Sequence, residues 1–174
     1  MRKEIAVLDI DKDILEHEKK ASRKTKRRIK TILHSLVDPL PKEIKGRYDV
    51  FVTEPPDTVS GNTLFFSRGV ESLKEKGVGY LGISQNTLQK SKIAEIEKNI
   101  LEMKMAITDI FDKFSLYDTC GDEFNWVLGL PEEISLPDRK WFNSSLVRAE
   151  SYKKPEGIVK GKYKGEILET KIHC

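Results

Sequence analysis

The sequence predicts an α/β protein whose strands form a doubly wound, mostly parallel sheet. Short apolar runs alternate along the chain with segments of helical periodicity, which is typical of strand–helix–strand units. An acidic residue closely follows two of these runs, at Asp9 and Glu54, as expected for parallel strands that end at a polar edge. At 174 residues the chain is long enough for one domain with its own core.

The first elements follow from this alternation. Residues 5–8 are an apolar run that ends at Asp9 and predict a buried parallel strand. Asp11 or Asp13 can cap the next helix, which we expect to run to about residue 28. The following predictions are, in chain order, strand 29–33, a Pro-containing loop at 38–41, strand 48–53, helix 62–74, strand 78–84, helix 87–103 and strand 106–114.

The carboxyl-terminal part differs from the rest. Residues 124–130 and 141–152 predict antiparallel strands, and residues from 159 onward predict a late hairpin or edge strand. A final antiparallel hairpin is typical of the methyltransferase variety of Rossmann fold. We therefore expect residues 1–152 to form a partial Rossmann-like domain with a methyltransferase-type sheet, and residues 153–174 to form a carboxyl-terminal extension.

The sheet is expected to lack its first strand, because no Gly-rich turn follows a first strand and the chain opens on what corresponds to the second. The strand order of this fold is 3-2-1-4-5-7-6, so the first strand lies centrally. Its absence leaves open edges on the strands at 5–8 and 48–53. We expect the gap between them to stay open in the isolated chain rather than to close by direct pairing, with poor solubility or association of chains as a consequence.

Composition excludes several classes of protein. The chain has 31 basic and 28 acidic residues, a net charge of 31 − 28 = +3, and this mixed charge argues against a dedicated nucleic-acid or membrane binder. Charged residues make up 34% of the chain, as in many thermophile proteins. Residues 19–30 hold eight basic residues and are the best candidate for nucleic-acid contact. Because no aromatic residue interrupts them, we interpret them as a solvated helix face. We expect this face to point away from the acidic residues at 54–57.

Metal, disulfide and membrane signals are absent from the sequence. Cys120 and Cys174 form no CxxC pair, and the three histidines have no metal-ligand spacing. No apolar stretch approaches 18 residues, and the start lacks a signal-peptide core. A reducing cytoplasm is the expected location, without a membrane partner.

The most informative motif is Glu54-Pro55-Pro56-Asp57, directly after the strand at 48–53. Two carboxylates and two prolines at the carboxyl end of a strand form a rigid acidic lip where open α/β sheets bind ligands. Methyltransferases that act on amino nitrogens carry a similar Asp/Asn-Pro-Pro turn, which holds the amine with its lone pair facing an activated sulfonium. The motif therefore indicates group transfer onto nitrogen, and a solvated, helix-capping loop is the structural alternative.

Several motifs together resemble the carboxyl-terminal catalytic domain of the branched-chain polyamine synthases, the N4-bis(aminopropyl)spermidine synthases. The matching pieces are, in family order, Ala6-Val7-Leu8-Asp9-Ile10-Asp11, Asp38-Pro39-Leu40-Pro41, residues 48–58, Phe66-Ser67-Arg68-Gly69, Gly79-Tyr80-Leu81-Gly82, Ile107-Thr108-Asp109-Ile110 and residues 139–145. They extend over about residues 5–150 and leave the final twenty-odd residues uncovered.

The resemblance implies an activity and a site. Enzymes of this family move aminopropyl groups from decarboxylated S-adenosylmethionine, a co-substrate rather than a cofactor, onto the secondary amine of spermidine. It implies that Asp9 binds the nucleoside ribose, and that Glu54 and Asp57 are the catalytic acids beside the reacting amine. The remaining substrate-binding residues would be Pro55, Pro56 and Thr58. The implied partners are a polyamine and either a separate amino-terminal chain or a second copy of this one.

The chain also departs from the family pattern. Glu54 stands where the family has Asp and Asp57 where it has Glu, and Ser35 stands where Asp is expected. The family's Gly-Asp-Asp-Asp segment and its winged-helix-like amino-terminal domain have no counterpart in these residues. Three functions therefore stay open: an aminopropyltransferase that needs an amino-terminal part, an inactive relative or interaction module, and an S-adenosylmethionine-dependent N-methyltransferase.

Overall fold

The structure is a computed structural model that describes residues 4–84, 88–117 and 143–167. Six strands and three helices lie in these ranges. In chain order they are β1 (Ile5–Asp9), α1 (Lys12–Thr25), β2 (Ile29–Leu33), β3 (Tyr48–Thr53), α2 (Val59–Ser72), β4 (Leu73–Ile83), α3 (Lys90–Glu102), β5 (Met105–Leu116) and β6 (Asn143–Ser151).

The strands form two separate ladders. β1 pairs in parallel with β2, and a four-stranded sheet has the order β3-β4-β6-β5. The β3–β4 pair is parallel, whereas β6 runs antiparallel to both β4 and β5. This is the predicted order with the central first strand left out, and the antiparallel end of the sheet confirms the predicted methyltransferase-type fold. Within the described residues β1 and β3 exchange no ladder hydrogen bonds, as the sequence predicted.

The first helix is shorter than predicted. The Asp11 side chain accepts hydrogen bonds from the backbone N–H groups of Asp13 and Ile14, which fixes the start of α1. The helix ends at Thr25 rather than near residue 28, because Lys26 adopts a left-handed conformation with φ of 53°. α1 leads from the carboxyl end of β1 to the amino end of β2, and the two strands are parallel. The basic residues between α1 and β2 therefore lie at the amino ends of these strands, away from Asp9, as predicted.

The boundary between α2 and β4 also differs from the prediction. α2 begins at Val59, because Thr58 caps it, and it ends at Ser72. The prediction ended the helix at residue 74 and began the strand at residue 78, but Leu73 and the charged residues after it belong to β4. Tyr48 pairs with Leu73, and Lys74 Nζ lies 2.8 Å from the Asp49 carboxylate. Pairing with β3 thus overrides the local helix propensity of this segment.

The main core lies between one face of the four-stranded sheet and the helices α2 and α3. Phe66 of α2, Ile100 of α3 and Leu81 of β4 are all almost fully buried there. Phe51 of β3 contacts Phe66 edge to face, with 5.0 Å between ring centroids. Successive side chains along β3, β4 and β6 point to opposite faces of the sheet, so every second one points away from these helices. On that opposite face apolar residues, among them Val52, are exposed.

The described part of the carboxyl-terminal segment, residues 159–167, does not form the predicted hairpin or edge strand. Residues 159–167 contain no strand and instead cross over α2. The Val159 N–H donates to Ser67 Oγ at 3.0 Å, and the Tyr163 N–H donates to the Val37 carbonyl at 2.8 Å. The alternating Gly and Lys residues of this segment lack the continuous apolar face that a strand in this position would need. The strand predicted at residues 124–130 lies outside the described residues.

None of the described helices is both long enough and apolar enough to cross a membrane.

Candidate functional site

The acidic lip lies at the carboxyl end of β3. Glu54 is exposed, whereas Pro55 directly after it is buried. The carbonyl of Pro56 accepts a hydrogen bond from the Thr58 N–H at 2.7 Å and another from Asn62 Nδ2 at 3.1 Å. The turn is therefore rigid for two reasons: the prolines fix their own φ angles, and α2 holds the Pro56 carbonyl.

The Glu54 carboxylate is held by two hydroxyl groups from the antiparallel end of the sheet. Its Oε1 accepts hydrogen bonds from the Ser144 hydroxyl at 3.0 Å and from the Tyr117 hydroxyl. A Cβ at position 82 would lie 2.9 Å from Glu54 Cγ, so glycine there leaves room for the side chain to cross β4. Contacts from distant parts of the chain thus fix the orientation of this carboxylate.

The second half of the lip begins α2. Asp57 is half-buried and directly precedes the capping residue Thr58. Thr58 is only 7% exposed, and its hydroxyl accepts from the Gly61 N–H at 2.9 Å and donates to the Ile167 carbonyl at 2.6 Å. The Thr58 side chain therefore holds the turn and the carboxyl-terminal segment, while Asp57 carries the charge beside it.

Asp9 and Glu54 line the same cavity. Its volume is about 340 Å³, and it lies between β1 and β3. One Asp9 oxygen accepts the Asp11 N–H at 2.8 Å, which orients the Asp9 carboxylate at the end of β1. At the opposite end of the cavity, burial, and after it the nearby charge of Glu4, raises the pKa of Tyr48. The amino ends of β1 and β3 are therefore neighbours, and so are their carboxyl ends.

Glu54 also borders a second cavity, on the sheet face opposite α2. This cavity has a volume of about 480 Å³. Its walls are formed mainly by side chains with large apolar surfaces, namely Val52, Tyr80, Phe114 and Leu146, and Ser144 lies with Glu54 at its edge. A single carboxylate is thus shared between a cavity bounded by Asp9 and a mainly apolar cavity on the sheet face.

The structure brings together two of the predicted residues, Asp9 and Glu54, which line one cavity at the carboxyl ends of β1 and β3. Asp57 lies three positions beyond Glu54, directly before the capping residue of α2. Two contributors were not predicted. They are Ser144 and Tyr117, and the sequence does not mark them, because a partner that lies about 60 to 90 positions away leaves no local signal.

Arg68, of the Phe66-Ser67-Arg68-Gly69 motif, does not lie on a solvated helix face. It is 1% exposed and donates to backbone carbonyls on both sides of α2. The acceptors are the carbonyls of Leu36 at 2.9 Å, Val37 at 3.4 Å, Val159 at 3.1 Å and Gly161 at 2.6 Å. Arg68 also pairs with Glu71 at 3.2 Å, so its contacts are with the scaffold rather than with the acids of the lip. Among the residues that the structure describes, no group of three or more His, Cys, Asp or Glu side chains could hold a metal ion.

The strand order and the acids at the strand ends define a Rossmann-like α/β protein of the methyltransferase type. A crystal structure of an S-adenosylmethionine-dependent O-methyltransferase from Thermotoga maritima matches 88% of the chain and 51% of its own length, with a TM-score of 0.56 at 13% identity. The branched-chain polyamine synthase from Thermus thermophilus, solved with N4-aminopropylspermidine and 5'-methylthioadenosine, is more similar. It matches 96% of the chain and 49% of its own length, with a TM-score of 0.85 at 24% identity.

The chain belongs to the family described as the branched-chain polyamine synthase A C-terminal domain, whose model matches residues 1–171. The match includes most of the carboxyl-terminal residues that the sequence motifs left uncovered. The N(4)-bis(aminopropyl)spermidine synthase of Thermococcus kodakarensis is 34% identical over 162 residues, and that of Methanocaldococcus jannaschii is 31% identical over 160 residues. Each alignment covers 90% of this chain and 46% of the relative, so the chain spans about half the length of these relatives.

Proposed function

We propose that this chain carries the amine-binding side of an aminopropyltransferase site and, with an amino-terminal part, converts spermidine to branched N4-bis(aminopropyl)spermidine. The observation that carries the proposal is the position of Glu54. In a member of the polyamine synthase family, its fixed carboxylate lies between two cavities, as a transfer between two substrates requires.

The reaction is a displacement at the aminopropyl carbon bound to the positive sulfur of decarboxylated S-adenosylmethionine. The lone pair of the amine forms the new C–N bond while the C–S bond breaks, and 5'-methylthioadenosine leaves with the sulfur electrons. The amine must be neutral when it attacks. In the first of the two transfers the secondary amine becomes a tertiary amine, and its nitrogen must lose one proton. In the second transfer the tertiary amine becomes a quaternary ammonium, which has no proton to lose. Holding the two substrates in line contributes a large part of such catalysis, and a positioned carboxylate supplies the proton acceptor.

The second cavity suits the polyamine. Spermidine is a chain of methylene groups interrupted by amines, so it needs apolar walls and well-placed carboxylates. The cavity on the sheet face offers apolar surface from Val52, Phe114 and Leu146, with Glu54 at its edge. We assign Glu54 as the acceptor for the reacting amine, and Asp57, next along the lip, as a second charge that attracts the polycation. Pro55 and Pro56 hold the two carboxylates apart.

The cavity beside Asp9 suits the nucleoside. A carboxylate at the end of a strand in an open α/β sheet binds ribose hydroxyls in many nucleotide-binding proteins. The Thermus thermophilus relative was solved with an aminopropylated spermidine and 5'-methylthioadenosine, the two kinds of product that one transfer creates. A two-cavity site with Glu54 between the cavities fits the simultaneous presence of two such molecules.

The test is a chimera in which the portion of the Thermococcus kodakarensis relative that precedes its matched region is fused to the amino end of this chain. We expect it to release 5'-methylthioadenosine and to form aminopropylated spermidine from decarboxylated S-adenosylmethionine, as measured by chromatography and mass spectrometry. Methyl transfer from S-adenosylmethionine to an amine would instead establish the methyltransferase alternative. A folded chimera without either activity would establish the inactive relative.

A further inference from the structure

Two aromatic side chains line the mainly apolar cavity on the sheet face beside Glu54. They are Tyr80 of β4 and Phe114 of β5. Phe114 is 63% exposed although it is a large apolar residue, and Tyr80 is only partly buried. The core therefore does not use up the surfaces of these two rings, and a carboxylate lies in the same cavity with them.

A bulge in β5 contains Phe114. From Phe111 to Ser115, four steps along β5 accompany only two steps along its partner β6, so the ladder is interrupted there. Lys113, inside the bulge, has a φ of 51°, a left-handed conformation that is unfavourable for a residue other than glycine. Bulges change the direction in which a side chain points and are common beside functional sites. We attribute the position of Phe114 at the cavity to this bulge.

Tyr80 is held by Arg148 of β6, the residue that lies opposite it in the ladder. A hydrogen bond to Tyr80, and after it hydrogen bonds to Glu150 and Asp109, raise the pKa of Arg148. Because Asp109 and Glu150 both form ion pairs with Arg148, the group as a whole carries no net positive charge. Tyr80 is thus held in place without a charge that would repel a cation in the cavity.

Aromatic rings beside a carboxylate suit a cation that has no N–H groups. Such a cation cannot donate a hydrogen bond to Glu54, so its charge is stabilised by the nearby carboxylate and by the negative faces of the rings. The rings can replace water around a quaternary nitrogen without leaving a donor unsatisfied. A primary or secondary ammonium gains less from the same walls, because each of its N–H groups needs an acceptor.

We propose, on the basis of the function proposed above, that Glu54, Tyr80 and Phe114 form a site for a quaternary ammonium group and stabilise the nitrogen that the second aminopropyl transfer creates. In that transfer the lone pair of the tertiary amine forms the new C–N bond. The C–S bond breaks, and 5'-methylthioadenosine leaves with the sulfur electrons. The positive charge moves from sulfur to nitrogen and no proton is released, so Glu54 acts as a counter-charge and the rings favour the second transfer.

The site is tested on the 174-residue chain without either substrate of the reaction. The probe is choline, and its neutral isostere 3,3-dimethyl-1-butanol measures the apolar contribution alone. NMR titration should show saturable choline binding that is tighter than binding of the isostere. Tyr80→Leu and Phe114→Leu should each weaken choline binding by about 3- to 10-fold, whereas Tyr80→Phe should keep most of it, because the phenylalanine ring retains a negative face.

Tyr152→Leu is the matched control for the loss of an aromatic side chain. Tyr152 is 52% exposed, its hydroxyl donates to the Leu101 carbonyl, and it does not line the cavity beside Glu54. Choline binding should be unchanged in this variant. Circular dichroism of each variant reports whether the fold is retained, and two separate positions, 80 and 114, carry the test.

The role in the second transfer is tested with the same variants of the chimera, by their products. Tyr80→Leu and Phe114→Leu should lower the ratio of N4-bis(aminopropyl)spermidine to N4-aminopropylspermidine by about fivefold. The rate of the first transfer should fall less, because its product can lose a proton to Glu54. Tyr80→Phe should restore most of the ratio, and Tyr152→Leu should leave it unchanged.

Two outcomes overturn the proposal. If choline binds no more tightly than its neutral isostere, or equally well to both Leu variants, the rings do not recognise a cation. If the chimera is active and both Leu variants keep the product ratio, the rings have no part in the second transfer. A chimera that is inactive in all forms contradicts the proposed function instead, and the choline titration then decides the ammonium site by itself.

Discussion

At the scale of single residues, the charge at the lip is the feature that the proposed function depends on most. Glu54→Gln in the chimera keeps the shape of the side chain but removes its charge and its ability to accept a proton, so turnover should fall by about 100-fold or more. Asp57→Asn should lower turnover and also weaken spermidine binding, because one attraction for the polycation is lost. Both are measured by steady-state kinetics with varied spermidine. Glu75→Gln, an exposed position on β4, is the control, and an enzyme that is indifferent to both lip substitutions has its amine site elsewhere.

The hydroxyl groups that hold Glu54 give a second prediction. Ser144→Ala or Tyr117→Phe removes one hydrogen bond to a carboxylate, and such bonds contribute about 1.5–3 kcal/mol. We expect turnover to fall by at least about tenfold while KM for decarboxylated S-adenosylmethionine stays constant, because these residues only position Glu54. Ser145→Ala is the matched control, because the neighbouring Ser145 bonds Asp112 instead. If Ser144→Ala and Ser145→Ala behave alike, Ser144 has no positioning role.

The site was only partly predictable for a physical reason. Acids at the ends of apolar runs, such as Asp9 and Glu54, can be recognised as site residues from the local sequence, because the carboxyl ends of parallel strands converge at one edge of a sheet. Which side chains form hydrogen bonds with these acids is determined by the tertiary fold. Ser144 reaches Glu54 only because β6 pairs with β4 so that Ser145 lies opposite Ile83. This register of β4 and β6 cannot be read from the spacing of residues in the sequence.

At the scale of elements, Arg68 joins the loop after β2 to the carboxyl-terminal segment across α2. Arg68→Met keeps much of the side-chain volume but leaves four carbonyls and Glu71 without their donor, so the free energy of unfolding should fall by about 3–5 kcal/mol. Chemical denaturation measures the loss. Lys45→Met removes the other partner of Glu71, a lysine with 44% of its side chain exposed, and should cost less than about 1 kcal/mol. Equal losses from the two substitutions contradict the assigned role of Arg68.

The packing of α2 on β3 and β4 depends on close approach around one ring. A Cβ at Gly79 would lie 2.5 Å from Phe51 Cζ, so Gly79→Ala should destabilise the fold by about 1–3 kcal/mol through overpacking. Because the clash is with the tip of the phenylalanine ring, Phe51→Leu should recover part of this loss in the double variant. A double-mutant cycle measured by thermal unfolding gives the coupling energy. If the effects of Gly79→Ala and Phe51→Leu are strictly additive, the glycine at position 79 is not required to make room for the Phe51 ring.

Prediction of the elements was most accurate where local signals and tertiary pairing agree. β2 and β3 have the predicted bounds, because each is a short apolar run between turn residues. The error at the α2–β4 boundary arose where they conflict: residues 73 and 74 were predicted as the end of a helix, but Leu73 pairs with Tyr48 of β3 and begins β4. The hairpin predicted from residue 159 onward is not formed in the described residues for a related reason. Arg68 and Ser67 of α2 bind the backbone of Val159 and so hold this segment against the helix.

At the scale of the whole molecule, the topology was predictable because few arrangements satisfy alternating strands and helices. The gap was predictable as well, because counting the strands against the fold leaves the central position empty. What lies in the gap could not be read from these residues, since the gap is defined only by the strands on either side of it.

The last prediction follows from the gap. Under the proposed function, an amino-terminal part completes the site beside Asp9 and Glu54, so the chain on its own should have little or no transferase activity. Without that part the sulfonium carbon is not held in line with the amine at Glu54, and loss of such alignment is costly. We expect turnover far below roughly 1 per second, the lower end for ordinary enzymes. The measurement compares 5'-methylthioadenosine release by the purified chain and by the chimera at equal concentration. Turnover of the isolated chain on the order of 1 per second or faster would mean that Asp9, Glu54 and Asp57 are a sufficient site, and that catalysis needs no amino-terminal part.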